Sequence, residues 1–435
     1  MAINIDELRA RPLDPEIDDE ITRFSTAIDE YLAGDLEEDV FRVSRLNQGI
    51  YGQRQGGTNQ MVRVKIPYGR VEPDQLEMLA SISETYSRGW GHLTTRQNAQ
   101  FHFVELRDTP EVLRRLASVG LTSREACGDT VRNVAGCHLA GACPFEVLDS
   151  SPWAEATYQW FLRNPLSQRM PRKFKINFSG CATDCGQAMF NDVGVIAVSQ
   201  PRDDGTVEAG FRVFLAGGLG ANPHPAQALE EFTSREDLLA TIEATLRTFD
   251  HFGNRDNKLR ARMKWLVDTM GIDELRERII KERKFLRASA TYPGGLPDAV
   301  IETGDAPAGI GTAVAADGGI PIEFSGLDAY RKWEIANVVR GRANGTVSAY
   351  AHAKLGDITT VQFRQLADIQ REFAVEIRIT NRQNFVLRGL CDDQLPALYE
   401  RLVAADMHRP GAELARDVVS CPGADTCNLA VTQSR

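Results

Sequence analysis

The segments Val62 to Cys143 and Tyr350 to Cys427 carry the same features in the same order. Gln75, Leu79, Ala80 and Ile82 correspond to Gln362, Leu366, Ala367 and Ile369. Thr94 and Arg96-Gln97-Asn98 correspond to Thr380 and Arg382-Gln383-Asn384, Arg115-Leu116 to Arg401-Leu402, and Cys137/Cys143 to Cys421/Cys427. The offset drifts only from 287 residues at Gln75 to 284 at Cys137, as a few small loop deletions would produce. A match kept in order over this distance constrains the fold more than composition can, because one architecture must be built twice. In the first copy, Val62–Ile66 reads as a strand closed by Pro67 and Gly69. Pro73 to Tyr86 has helical apolar spacing, Phe101, Phe103 and Leu106 mark a second strand, and Thr109-Pro110 opens a helix from Glu111 to Val119. Two helices on one face of a short sheet form a ferredoxin-like α+β half-unit, present twice. Between the copies, Arg287 to Gly319 is rich in Gly, Ala and Pro and reads as a linker.

At 435 residues the chain is expected to hold two or three domains. No apolar run is long enough to span a membrane. The acidic stretch Met1 to Asp19 lacks the basic and apolar regions of a signal peptide, so a cytoplasmic location is the expectation. A net charge of −10 argues against nucleic-acid binding, yet it leaves room for a local basic pocket holding a small anion.

In a reducing compartment, clustered cysteines are metal ligands or redox groups rather than disulfides. Cys137-x5-Cys143 and Cys181-x3-Cys185 supply four thiols in two close pairs, which suits a [4Fe–4S] cluster. Structural zinc is the main rival, although x5 is wide for its usual spacing, and buried apolar cysteines are a further reading. Basic residues gather nearby in sequence: Arg96, Arg132, Lys173 and Lys175. On an extended segment Lys173 and Lys175 share a face, either around an anion or on a solvated edge strand; spacing leaves both readings open. The glycine-rich turn Leu215 to Gly220 follows an apolar segment and can bring backbone amides to an anionic group, without a dinucleotide-binding pattern. Asn254 to Lys264 reads as the start of a basic helix, either a solvated face or a polycarboxylate-binding one.

Together these residues resemble the nitrite/sulfite reductase family of siroheme proteins. The resemblance rests on Thr95-Arg-Gln-Asn, Val131-Arg-Asn-Val, Pro171-Arg-Lys-Phe-Lys, Gly217-Gly-Leu-Gly, Asp256-Asn-Lys, Asn381-Arg-Gln-Asn and Ser420-Cys-Pro-Gly-Ala-Asp-Thr-Cys-Asn-Leu-Ala430. It runs from about Leu46 to the last residue. It implies an α+β fold of two related halves, each a ferredoxin-like unit plus a larger siroheme/cluster α/β unit, with the second half incomplete. The corresponding segments are an N-terminal helical arm (1–45), ferredoxin-like half-domain 1 (46–122), siroheme/4Fe–4S domain 1 (123–286), a linker (287–325), ferredoxin-like half-domain 2 (326–408) and the start of siroheme/4Fe–4S domain 2 (409–435).

The resemblance further implies six-electron reduction of sulfite to sulfide or nitrite to ammonia, with siroheme, a [4Fe–4S] cluster and a ferredoxin or flavoprotein donor. Arg96, Arg132, Lys173 and Lys175 match the family's anion-binding side chains. Arg54, Gln55, Asn59, Arg63, Gln97, Asn98, Asn133, Gly218, Gly220, Arg382 and Arg416 are the implied cofactor contacts. Cys137, Cys143, Cys181, Cys185, Cys421 and Cys427 are the implied metal ligands, with Cys185 the candidate thiolate shared between cluster and siroheme iron.

Two departures stand out. The second half supplies Cys421 and Cys427, but the C-x3-C pair expected further on is missing, so the sequence reads as C-terminally truncated. The first half holds all four cysteines, but Cys181-Ala-Thr-Asp-Cys185 lacks the Pro-Asn usual in that motif. The alternative to a reductase is a cluster-binding electron-transfer protein or inactive fragment without a working siroheme site.

Overall fold

The computed structural model describes residues 5–289, 325–415 and 417–434. Most of the expected linker 287–325, and Arg416, lie outside the described residues. The chain divides into two compact units, residues 1–128 with 323–435 and residues 129–322.

The ferredoxin-like parts of both copies fall in the first unit, while Cys137 and Cys143 at the end of the first copy belong to the second. In the first copy, Asn59–Val64 pairs antiparallel with Ala99–Glu105, which pairs with Trp90–Leu93. In the second, Thr346–Ala351 pairs with Phe385–Cys391, which pairs with Glu376–Ile379. Trp90–Leu93 is a strand that the sequence reading did not contain. Its four residues, Trp-Gly-His-Leu, contain no β-branched side chain, and at Gly91 a Cβ would press on the Phe101 and Phe363 rings at 3.0 and 3.2 Å.

Each sheet is completed by the other copy. Asp357–Thr359 pairs with Trp90–Leu93, and Arg70–Val71 pairs with Glu376–Ile379, giving two five-stranded sheets with one exchanged strand apiece. The helices after the exchanged strands, Pro73–Tyr86 and Thr360–Phe373, pack together and both begin with a capping box. Leu76, Leu79, Ile82, Phe363, Leu366 and Ile369 are wholly buried there, each stabilising the fold by about 1.5–3 kcal/mol. The repeat extends to single atoms. Gln75 Nε2 donates to Val119 O (3.1 Å), and Gln362 Nε2 donates to Ala405 O (2.9 Å). Gln97 Nε2 donates to Ile379 O (3.0 Å), and Gln383 Nε2 donates to Leu93 O (2.7 Å). The last pair of bonds crosses between copies, so each copy satisfies the other's buried carbonyl. Two ferredoxin-like halves are thus present, as the repeat required.

The second unit is built on a five-stranded mixed sheet in the order Gln227–Thr233, Val207–Leu215, Val193–Pro201, Ile176–Ser179, Ala135–Gly136. Its last two strands run parallel to each other and to Val193–Pro201. Helices Ser151–Phe161, Leu238–Phe252, Met263–Met270 and Ile272–Ala288 belong to the same unit. Trp153 meets Phe211 edge-on at 5.3 Å, and Phe174 lies 5.6 Å from Phe249, so rings join helices to the sheet.

The basic stretch from Asn254 is not the start of a helix. It is a loop with a short 3-10 turn, Lys258–Arg260, and the α-helix begins only at Met263. Asn254 Oδ1 accepts from the backbone N–H groups of Asp256 (2.9 Å) and Asn257 (2.8 Å), and Asn257 Oδ1 accepts from Leu259 N–H (3.0 Å). Such local bonds offer the backbone an alternative to the helical ladder.

Candidate functional site

Arg132, Lys173 and Lys175 lie just before the two parallel strands Ala135–Gly136 and Ile176–Ser179. Phe174, wholly buried, forms a parallel bridge with Val131, and its carbonyl accepts from Arg132 N–H (2.9 Å). The chain is extended on either side of Phe174, so the alternation that buries the ring sends both lysines to the other face. Lys173 is half-buried among cations. Burial first, then Arg132, Arg262 and Arg172, lower its pKa from 10.5 to about 8, against a small opposing effect of Asp192. Keeping it charged there costs about 3 kcal/mol at 1.36 kcal/mol per unit. A bound anion would return that energy. A solvated edge-strand lysine would show no such crowding, so the local electrostatics favour the anion reading of the pair.

Arg262 was not singled out from sequence as a site residue. Its guanidinium grips Asp192 with Nε–Oδ1 at 3.1 Å and Nη2 at 2.8 Å from each carboxylate oxygen. Asp192 is fully buried and also accepts from Lys175 N–H (2.9 Å). A Cβ at Gly218 would sit 3.7 Å from Arg262 Nη2 and 3.4 Å from Lys264, which places the glycine-rich turn against these cations. Gly217 could carry no side chain, since a Cβ would be 2.7 Å from Met189 O. Gly220 has φ +114.

The four cysteines follow the same two strands at their opposite ends. Cys137 N–H donates to Phe178 O (2.9 Å), and loops leaving adjacent parallel strands necessarily start side by side. The Cys137 thiol is hydrogen-bonded to Cys185, which with burial pushes its pKa well up. Cys143 is raised to about 11 by burial, and Cys181, Glu146 and Cys185 add to this. The four sulfurs therefore sit within electrostatic reach of one another. Among the described residues no three His, Cys, Asp or Glu side chains close around a single ion. A cluster of several irons spreads its thiolates wider than one ion does, and its iron supplies positive charge. The donor set fits a [4Fe–4S] cluster better than zinc.

Asp184, inside the second cysteine motif, organises its loop. Its carboxylate accepts from Ser179 Oγ–H (2.6 Å), Ala188 N–H (2.7 Å) and Met189 N–H (3.1 Å). At Gly186 a Cβ would fall 2.0 Å from Phe178 O. The loop is thus specified without the Pro-Asn pair.

The strand Ile176–Ser179 alone spans about 13 Å at ~3.3 Å per residue. The cations and the cysteines of this unit are held at opposite ends of it.

In the first unit, Arg96 lies in a turn between Trp90–Leu93 and Ala99–Glu105, where Thr94 Oγ1 accepts from Arg96 N–H (3.2 Å) and Asn98 N–H (3.3 Å). Asn98 is buried and its Oδ1 has no hydrogen-bond partner among the described residues. Gln97 is buried and its amide donates to Ile379 O of the other copy's sheet. Arg63 donates to Ala126 O (3.3 Å), and to the Gln100 carbonyl at 2.8 and 2.6 Å in the amide orientation that satisfies both groups. Arg54 donates to Ala430 O (2.7 Å) and Gln55 to Asp425 O. These two hold the segment that carries Cys421 and Cys427, both exposed. Asn59 starts its strand, bonded to Gly56 O at 3.4 Å. Asn133 is wholly buried in the second unit. Arg382 donates to Glu413 O (2.6 Å), and Thr380 Oγ1–H and Asn384 Nδ2–H donate to Glu413 Oε1 at 2.6 and 3.0 Å.

Residues 127–285 match the nitrite and sulphite reductase 4Fe-4S domain, and residues 51–119 and 340–405 match the nitrite/sulfite reductase ferredoxin-like half domain. The chain belongs to the nitrite/sulfite reductase family. The doubled match of the half domain is the repeat seen in the sequence. An assimilatory ferredoxin-dependent nitrite reductase of Haloferax mediterranei is 30% identical over 414 residues, covering 89% of this chain and 64% of that protein. A sulfite reductase [ferredoxin] of Mycolicibacterium paratuberculosis is 29% identical over 376 residues, covering 86% of this chain and 61% of that protein. The chain spans just under two thirds of the length of these curated relatives. The solved NirA protein of Mycobacterium tuberculosis superposes with a TM-score of 0.74 at 26% identity, covering 98% of this chain and 75% of that one. Membership in the nitrite/sulfite reductase family brings two cofactors, siroheme and a [4Fe–4S] cluster.

Proposed function

We propose that this chain serves the six-electron reduction of a small oxyanion, sulfite to sulfide or nitrite to ammonia. The observation that carries the reading is Lys173, a half-buried ammonium crowded by Arg132, Arg172 and Arg262. An anion beside such a group would offset its burial and crowding. Arg132, Lys173 and Lys175 hold the oxyanion. Their N–H groups bind its oxygens, and Lys173, titrating at about 8, gives up a proton near neutral pH as an oxygen leaves as water.

Siroheme and the cluster supply the electrons, one at a time, when bound. Cys137, Cys143, Cys181 and Cys185 are the residues that hold the [4Fe–4S] cluster. In the second unit, Asn133, Gly218 and Gly220 are the proposed cofactor contacts. Ferredoxin, on which the Haloferax mediterranei relative depends, is the proposed donor, with a flavoprotein the other source of low-potential electrons. Among the described residues no helix is long and apolar enough to cross a membrane.

The opposite-end placement of cysteines and cations favours a second reading, a cluster-binding electron-transfer protein. An absorption spectrum of anaerobically purified protein separates the two. The reductase reading expects a Soret-type band with a strong visible band, and Lys173→Met should keep that absorbance while turnover falls at least tenfold. A broad iron–sulfur shoulder alone would replace this reading with the second.

A further inference from the structure

Asp192 stands 70 residues from Arg262 in sequence and 17 from Lys175, yet it joins the two. Its carboxylate is wholly buried, and every contact it makes leads to the basic cluster. One oxygen pair receives Arg262 in two-point fashion, and Oδ2 also receives the main-chain N–H of Lys175. Its backbone carbonyl accepts from Ala216 N–H (2.9 Å), the residue at φ +65 that opens the glycine-rich turn. Non-glycine residues hold such a φ only when their surroundings fix it. Three separate segments, around Lys175, Ala216 and Arg262, therefore meet on one aspartate. Arg262 uses Nε and Nη2 on Asp192, and its Nη1 makes no hydrogen bond among the described residues.

We propose that Asp192 is a positioning residue of the anion site, fixing Lys175 and the glycine-rich turn and presenting Arg262 as a further cation beside Arg132, Lys173 and Lys175. This rests on the reading of that cluster as an anion site. The physical logic is a balance. Four cations gathered without a counter-charge would repel and splay, whereas a single buried carboxylate behind them offsets part of the repulsion. A buried pair of this kind is retained for geometry more than for stability. The charged groups acting on Lys173 are Arg132, Arg262, Arg172 and Asp192, so Lys173 reports on the arrangement.

The test is competitive labelling of the Lys173 amine against pH, read by mass spectrometry on purified protein. Wild-type Lys173 should titrate at about 8. In Asp192→Asn the cations are released to splay apart, so the midpoint should rise towards that of an ordinary lysine in protein folded by circular dichroism, lowering labelling at pH 7.5 severalfold. A midpoint that falls or stays put, as loss of one charge from an arrangement fixed by other contacts would give, would overturn the proposal. Should Asp192→Asn fail to fold, Arg262→Met supplies the same test. Its Lys173 midpoint should rise in folded protein, and an unchanged midpoint would overturn the proposal. Protection of wild-type Lys173 by sulfite or nitrite in cofactor-loaded protein tests the anion reading separately, since its failure leaves the Asp192 shift intact.

Discussion

The turns Thr94–Asn98 and Thr380–Asn384 are built alike and used differently. In each, the threonine hydroxyl accepts from the N–H groups of the arginine and the asparagine, and the glutamine takes positive φ, +58 at Gln97 and +69 at Gln383. Each glutamine then crosses to the other copy. The outward positions have diverged. Asn98 keeps a buried carbonyl oxygen without a partner, whereas Asn384 donates to Glu413 and to Asp417 (2.6 Å). Arg382 and Thr380 also turn to Glu413, and His352 pairs with Asp417 at 3.2 Å. Two carboxylates thus occupy these donors in the second copy. The glutamines that cross between the sheets are used alike in the two copies, and the outward residues differ.

The largest expected effect breaks the shared framework. A Cβ at Gly69 would stand 2.2 Å from Ile379 O, and one at Gly356 2.5 Å from Gln383 Nε2, both at positive φ. Gly69→Ala should cost at least about 3 kcal/mol in denaturant unfolding. Gly356→Ala should cost less, since its obstacle is the end of a side chain while the other is backbone. Equal costs would weaken the account of the crossing contacts.

Next in size is the divergence itself. Arg96→Ala should weaken sulfite or nitrite binding by about 10- to 100-fold, the worth of one charge-assisted hydrogen bond. Arg382→Ala should change it less than about twofold by the same criterion. Titration of binding against pH sharpens this. Lys173 is charged below its pKa of about 8, so affinity should be full there and fall as pH rises through that value. In Lys173→Met the fall should vanish. The smallest effect is at Glu413, whose pKa burial raises. A raised carboxyl favours the protonated fold, so its contribution is present at low pH and fades as pH climbs past the ordinary carboxylate range. Glu413→Gln should therefore change stability at neutral pH by less than about 1 kcal/mol, as checked by thermal unfolding.

Much of this was legible in the sequence because the repeat and the paired cysteines are local patterns kept in order. The ferredoxin-like halves follow from them, and the helices Pro73–Tyr86 and Thr360–Phe373 follow from apolar spacing. The exchanged strands Arg70–Val71 and Asp357–Thr359 do not, since two or three residues carry no periodicity. Asp192 and Arg262 escaped for another reason: a buried ion pair between distant residues leaves no mark in spacing. The misread helix at Asn254 did leave one, because asparagines at positions 254 and 257 are turn-capping residues. Of the implied cofactor contacts, Gln97 and Arg63 proved to be held by the protein's own carbonyls, which spacing cannot distinguish from ligand donors.

The central claim is the proposal that Cys137, Cys143, Cys181 and Cys185 hold the [4Fe–4S] cluster, with no part played by Cys421 and Cys427. Labile sulfide per chain, measured on anaerobically reconstituted protein, tests it directly. Replacing Cys137 and Cys185 together by serine should abolish the sulfide, and replacing Cys421 and Cys427 together should leave it unchanged. Loss of sulfide in the Cys421/Cys427 variant, with retention in the Cys137/Cys185 variant, would contradict the account.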